Sequence, residues 1–451
     1  MPDIILQNIW QFLSLSWWLW IFLVFLPLFK SAWLFWRQEL YKRTSEFKML
    51  MFEIKMPREV RKSPRAMEQV LMAIHGLRNV ASDIREKWWD GEITKWFTLE
   101  MVSFGGQIRF FIRSYYKQRP LIEAAFFSYY PDVELTEVDD YIDSLPSNVK
   151  EMREQGYDLW GTEMILVREA AYPIRTYIEF ESPEEEKQYD PISVFLEVLG
   201  RAKKEEIVGV QFLIQPEAPN WNKKWEGLVE QLRERKTKQK KPTAGTVTDF
   251  PGGPLPALSV KGAGEAESRP LMASFMRTPG ETDVLKAVEN NLSKPAFNTL
   301  IRFIYFSPKT LFYDSYARRG LVGSFNQYAA LNLNSFRQNF PVSTRVRFWN
   351  WPHIFPQIRN EYRKANLLWN YRNRLMPPET SIGRLVTSNI FRWNFASRPS
   401  TLNVGCLATL FHPPTYLVLT APHIKRVESR KAGPPAGMAI FGEEKEIEKY
   451  Q

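Results

Sequence analysis

Residues 9–29, IWQFLSLSWWLWIFLVFLPLF, run for 21 positions without a charged side chain. No other feature limits so tightly what the chain can fold into. At about 1.5 Å of rise per residue, a helix of that length crosses a hydrocarbon core of roughly 30 Å. A cleaved signal peptide would start with basic residues, whereas only Asp3 precedes this run. A buried core helix is rarely so long or so aromatic. The run therefore predicts a single transmembrane anchor over residues 1–36. Trp17, Trp18, Trp33 and Trp36 are then expected at the membrane interface, with Lys30 snorkelling and Arg37 just beyond it. Arg37, Lys42 and Arg43 outweigh Glu39, which orients the N-terminus outward and the remaining chain toward the cytoplasm.

The 451 residues leave room for two or three further domains. With 44% apolar and 14% aromatic residues, the chain can bury real cores and is not globally disordered. Sixty Lys and Arg against fifty Asp and Glu give a net charge of +10, which suits nucleic acid or an anionic membrane face. The single Cys406 rules out an internal disulfide. The four histidines, His75, His353, His412 and His423, have no zinc-ligand spacing. No GxxxxGK[ST] stretch is present, so the chain is not itself a P-loop ATPase. Catalysis, metal and cofactor are accordingly not expected.

Residues 37–150 read as a ferredoxin-like domain. FKMLMFEIKM (47–56) suits a strand. The 63–77 stretch opens with Ser63 as N-cap and Pro64 in the first turn, then repeats apolar residues at helical spacing through Met67, Val70, Leu71 and Ile74. TKWFTLEMVS (94–103) and QIRFFIRS (107–114) flank FGG as a hairpin, RPLIEAAFFSYY (119–130) suits a helix, and DVELTEV (132–138) a last strand. The order is β-α-β-β-α-β. A second α+β domain is expected over 151–235 and 281–335. Its strands are read at 162–169, 174–180, 205–216 and 296–307, and its helices at 191–200, 220–236, 281–294 and most of 308–331. Between the halves, 236–280 is rich in Pro, Gly, Ala, Ser and Thr and is read as a disordered insertion, opened by the basic run RKTKQKK at 235–241.

The C-terminal region, 336–423, is basic and aromatic; 424–451 reads as a flexible tail. Residues 341–400 carry ten Lys or Arg against Glu361 and Glu379. Arg345, Arg347, Trp349, Trp351, Arg363, Lys364, Trp369, Arg372, Arg374, Arg392 and Trp393 are the candidate contacts. Guanidinium groups interleaved with rings suit a protein interface, a nucleic-acid groove or anionic lipid. An arginine-rich fold whose charges pair internally is the plain alternative.

Cys406 stands six residues before His412 in VGCLATLFHPP. A nucleophile and its base usually converge from separate elements and need a third, orienting group, so the pair is not read as catalytic. Taken with FEIKMPREVRKSPRAMEQVLMAIHGL (52–77), FTLEMVSFGGQIRFFI (97–112), YYPDVELTEVDDY (129–141) and APHIKRVESRKAGPP (421–435), the stretch resembles an uncharacterised bacterial family. Its members are single-span membrane proteins found with conjugation-type, type IV secretion-like ATPases. The resemblance implies a non-enzymatic scaffold or adaptor at the bacterial cytoplasmic membrane, facing the cytoplasm and docking a hexameric motor ATPase. It carries no catalytic residues. A membrane-tethered nucleic-acid-binding protein using 341–400 is the competing expectation, and a homo-oligomer fits either.

Overall fold

In a computed structural model of the chain, the described residues are 10–11, 14–44, 47–57, 60, 62–181, 189–234, 278–347, 353–388, 395–415, 418 and 426–427. The insertion expected at 236–280 lies almost wholly outside them, as does most of the 424–451 tail.

Helix α1 (Trp17–Lys42) leads into β1 (Met49–Pro57), α2 (Pro64–Gly76), β2 (Phe97–Phe104), β3 (Gln107–Tyr115), α3 (Arg119–Tyr129) and β4 (Glu134–Val138). Local chemistry sets these elements. The Ser63 hydroxyl accepts from the Arg65 amide at 3.2 Å and caps α2. Gly105 and Gly106, at φ 56° and 92°, take left-handed conformations that let β2 and β3 meet in a tight turn. Strand order β4-β1-β3-β2, antiparallel throughout, results.

The next elements are α4 (Val149–Glu154), β5 (Tyr157–Leu166), α5 (Ser193–Gly200), β6 (Ile207–Pro216), α6 (Glu226–Glu234), α7 (Pro279–Leu292), β7 (Ala296–Pro308) and α8 (Asp314–Ser324). They do not form a separate domain. β6 pairs with β2 over eight registers, from Phe97–Ile214 to Phe104–Ile207. β7 pairs with β6, β5 with β7, and β8 (Phe336–Gln338) with β5. A single sheet therefore runs across the boundary that the sequence places near residue 150. The strand expected at 174–180 is absent: that segment is irregular, with one 3-10 turn at Tyr177–Glu179.

The chain closes with α9 (Pro356–Arg372), α10 (Ser381–Val386), β9 (Ser400–Asn403), α11 (Val404–Leu410) and β10 (Arg426–Val427). One sheet face carries the main core. Leu99, Phe110, Phe212 and Phe303 pack there against Leu71 and Ile74 of α2, Phe126 of α3, Leu199 of α5, and Leu407 of α11. The C-terminal region is thus part of the fold, with β9 extending the sheet along β7.

The transmembrane anchor is not supported. No helix among the described residues is long and apolar enough to cross a membrane. α1 has 26 residues, but Pro27, Lys30, Arg37, Glu39 and Lys42 interrupt its apolar character. Its C-terminal half is also held against the folded body. The Trp33 indole donates to the Trp88 carbonyl at 2.8 Å, and the Ser31 hydroxyl accepts from the Ile382 amide at 2.9 Å. The Arg37 backbone lies so close to Gly91 that a Cβ there would sit 2.5 Å from the Arg37 carbonyl carbon. Trp33 and Arg37 are therefore packing residues of this fold. Trp36 is exposed and stacks near the Arg37 guanidinium, at 5.7 Å. Trp17 opens the helix, while Trp18 and Lys30 are exposed.

Candidate partner interface

The second sheet face explains most of the C-terminal arginines. One cross-strand row places Glu100 opposite Gln211, Gln211 opposite Arg302, and Arg302 opposite Glu163. All four are fully buried. Such charges are tolerated in a core only when paired and hydrogen-bonded. Arg302 reaches one Glu163 oxygen through Nε and Nη2 at 3.2 and 3.0 Å, and donates to the Asn370 carbonyl at 2.8 Å. Ser397 gives Glu163 a further hydroxyl at 2.8 Å.

α9 covers this row because the sheet leaves room for it. Gly161, Ile304 and Gly209 form a neighbouring cross-strand row. A Cβ on Gly161 would lie 2.3 Å from Leu367 Cδ2, and one on Gly209 would lie 1.9 Å from the Tyr371 hydroxyl. The two glycines therefore make a trough that seats Leu367 and Tyr371, one helical turn apart. Tyr371 Oη and Tyr141 Oη are 2.8 Å apart, and Tyr141 also donates to Glu100.

Just past α9, Arg374 has φ 48°, an uncommon conformation for a residue with a side chain. Its guanidinium bridges two carboxylates, Glu100 and Asp140; the Asp140 contacts are 2.6 and 2.8 Å. Burial tends to raise the Asp140 carboxyl, but the Arg374 hydrogen bonds and charge outweigh it and hold the group below the usual carboxylate range.

The other candidate residues divide sharply. Arg363 is buried and donates to the carbonyls of Phe340 and Ser343, each at 3.0 Å; burial, then the charge of Arg359, pushes its pKa down to about 10. Lys364 pairs with Asp158. Arg372 donates to the carbonyls of Ile142 at 2.8 Å and Pro146 at 3.2 Å. These groups and Arg374 stitch α9 to the sheet and to the 140–146 turn, so their charge does not face outward as one patch. Among the described residues of this set, Trp369 is the only large exposed ring, at 58%. Arg345 is half-buried and Arg347 exposed, at the end of the 342–347 stretch. Trp349, Trp351, Arg392 and Trp393 lie outside the described residues. The sequence reading passed over Glu100, Glu163, Gln211 and Arg302. A readable signal existed: single charged residues centred in apolar strands (TLEMV, GTEMI, LIRFI), one of those strands with an interior glycine.

Cys406 and His412 do not face one another for chemistry. Cys406 is buried in the main core, and desolvation pushes its thiol up to about 12. His412 Nε2 lies 2.8 Å from Asp190 Oδ1, and its Nδ1 lies 2.7 Å from the Ala408 carbonyl. Asp190 also accepts from the Thr415 amide and hydroxyl, both at 2.8 Å. The cluster ties the end of α11 to the loop before α5.

The most conspicuous outward feature is α1. Trp18, Phe22, Phe25 and Phe29 are 62, 62, 58 and 66% exposed. Their 4-3-4 spacing aligns them along one helix face, continued by Trp36. Contiguous apolar surface of this kind marks an interaction site far more often than isolated exposed residues do.

Comparison with curated proteins finds no match. A family model described as a domain of unknown function matches residues 37–348, over two-thirds of the sequence, and the chain belongs to that family, DUF8128.

Proposed function

We propose that this chain is a non-enzymatic adaptor that docks a partner protein on the aromatic face of α1. The exposed Trp18–Phe22–Phe25–Phe29 stripe carries the reading. It projects from a helix whose other half is fixed to the fold through Ser31 and Trp33, so the rings are presented from a rigid base. Rigidity lowers the ordering cost of association, and aromatic anchors contribute most of the affinity at typical interfaces. The partner expected from the resemblance is a motor ATPase, which would offer an apolar groove to this helix. A nucleic-acid groove over 341–400 is less favoured, because Arg363, Lys364, Arg372 and Arg374 are engaged inside the protein.

The test is crosslinked purification of the full chain, with mass spectrometry, beside a Trp18→Ser/Phe22→Ser/Phe25→Ser/Phe29→Ser variant. Stoichiometric recovery of an oligomeric ATPase by the native chain, lost in the variant, is the expected result. Recovery of nuclease-sensitive DNA without protein, or flotation of the purified chain with lipid vesicles through the same four residues, would sink the proposal.

A further inference from the structure

A second outward feature, apart from the α1 stripe, lies where β6 ends and β7 begins. A cleft of about 800 Å³ opens there, and three arginines from distant parts of the sequence line it: Arg78 after α2, Arg384 on α10, and Arg398 before β9. Their situation differs from that of the chain's carboxylate-paired arginines. Arg302 and Arg374 are locked to carboxylates, and the surface residues Arg119 and Arg201 pair with Glu123 and Glu197. No carboxylate forms an ion pair with Arg78, Arg384 or Arg398 among the described residues.

Two of the three are aimed. Arg78 donates through Nε to the Pro216 carbonyl at 3.3 Å, and Arg384 through Nε to the Glu379 carbonyl at 3.1 Å. Fixing Nε on a backbone oxygen leaves the terminal nitrogens of each guanidinium for another acceptor. Two acids, Glu217 and Glu379, also line the cleft. The Glu379 carboxylate accepts from the Gln215 amide at 2.9 Å, so part of its acceptor capacity is used. Asn298, Thr387, Ser388 and Ser397 are among the neutral residues of the lining.

We propose that this cleft binds a small, multiply charged oxyanion of the phosphate class, held by the guanidinium forks of Arg78, Arg384 and Arg398. The chemistry favours that class. Planar guanidinium groups match phosphate oxygens in paired hydrogen bonds. The two carboxylates at the rim would repel a ligand that did not reach all three cations, which favours several charges on one compact group. The cleft does not overlap the α1 stripe, so the inference stands or falls separately from the docking reading.

Pyrophosphate is the probe. Calorimetric titration of the full chain should show saturable binding that weakens as salt is raised, because charge neutralisation drives it. In Arg384→Gln/Arg398→Gln the affinity should fall roughly tenfold or more, as expected for losing two charge-assisted contacts. Far-UV circular dichroism and the ligand-free melting midpoint should stay unchanged. Arg398→Glu is the second variant, since this side chain makes no hydrogen bond among the described residues, and it should lose binding too. Arg201→Gln, which touches only the Glu197 pair, should bind as the native chain does. The proposal is overturned if millimolar pyrophosphate does not bind, if the cleft variants bind it equally well, or if only oligonucleotides bind.

Discussion

At the scale of single residues, the absence of a side chain decides as much as its presence. Gly209 stands in mid-strand, where glycine ordinarily weakens a sheet, because the Tyr371 hydroxyl occupies the space a methyl would need. Gly209→Ala should therefore destabilise the protein by about 1–3 kcal/mol through overpacking. Tyr371→Phe in the same chain should recover part of that loss by removing the clashing oxygen. Urea unfolding of the two single variants and the double variant measures the coupling, and purely additive losses would show that the hydroxyl is not what the glycine accommodates. Carboxylates act in the opposite sense, through what they hold. Asp190 tends upward by burial, but the His412 charge and hydrogen bonds from His412, Thr415 and Ile192 overcome this and leave it below its usual range. Asp140 is lowered in the same way by Arg374. A carboxyl depressed in the folded state takes up its proton more readily when unfolded. Its contribution is complete above the unfolded value of about 3.9 and is lost as pH falls through the lower folded values. Stability should thus drop steeply below about pH 4, and Asp190→Asn should flatten that acid limb while lowering stability at neutral pH. Chemical denaturation from pH 6 to pH 2 would settle it: an unchanged acid limb in the variant would remove Asp190 from the account.

At the scale of elements, legibility followed local chemistry. α2 was readable because a capping serine, a first-turn proline and a four-residue apolar stripe all agree, and the structure starts that helix where they say. The β2–β3 hairpin was readable from FGG for the same reason. The segment 174–180 was not: IRTYIEF alternates like a strand, but its first half is fixed by non-local contacts. The Arg175 amide donates to the Tyr328 carbonyl at 3.0 Å, and the Tyr177 amide to the Thr409 hydroxyl at 2.9 Å. Tertiary partners more than a hundred residues away override its local pattern. α1 was misread for a related reason. Its uncharged first half is visible in sequence, whereas the docking of its second half depends on Trp88, Gly91 and Ile382 arriving from elsewhere. The exposed aromatic stripe was within the predicted anchor, so the residues were found and their setting was not. The arginines of α9 were misplaced because composition counts charge without direction. Only the Gly161 and Gly209 trough reveals that this helix lies face-down on the sheet.

At the scale of the molecule, the sheet links what the sequence divides. The eight registers between β2 and β6 join the two expected domains edge to edge, and the main core runs under both without a break. The C-terminal region then closes both faces: α11 inserts Leu407 and Leu410 into the main core, and α9 caps the charged row on the other side. The family match stops at residue 348, before either element. A chain ending at residue 347 would keep nearly every strand yet lose Arg374 and the Asn370 carbonyl. Glu100 would then be left without its cation, and Arg302 would lose a buried acceptor. Breaking one such buried pair costs about 3–5 kcal/mol, comparable to the low end of the total stability of a typical protein. The truncated chain should therefore fail to show a cooperative thermal transition and should expose apolar surface to dye, whereas the full chain should melt in one transition with both halves together. Co-expressing residues 348–451 as a separate piece should restore part of the cooperativity, because the trough and the charged row supply their own recognition for α9. A truncated chain that melts as sharply as the native one would mean that the sheet stabilises its own charged face, and that α9 is an accessory to the fold.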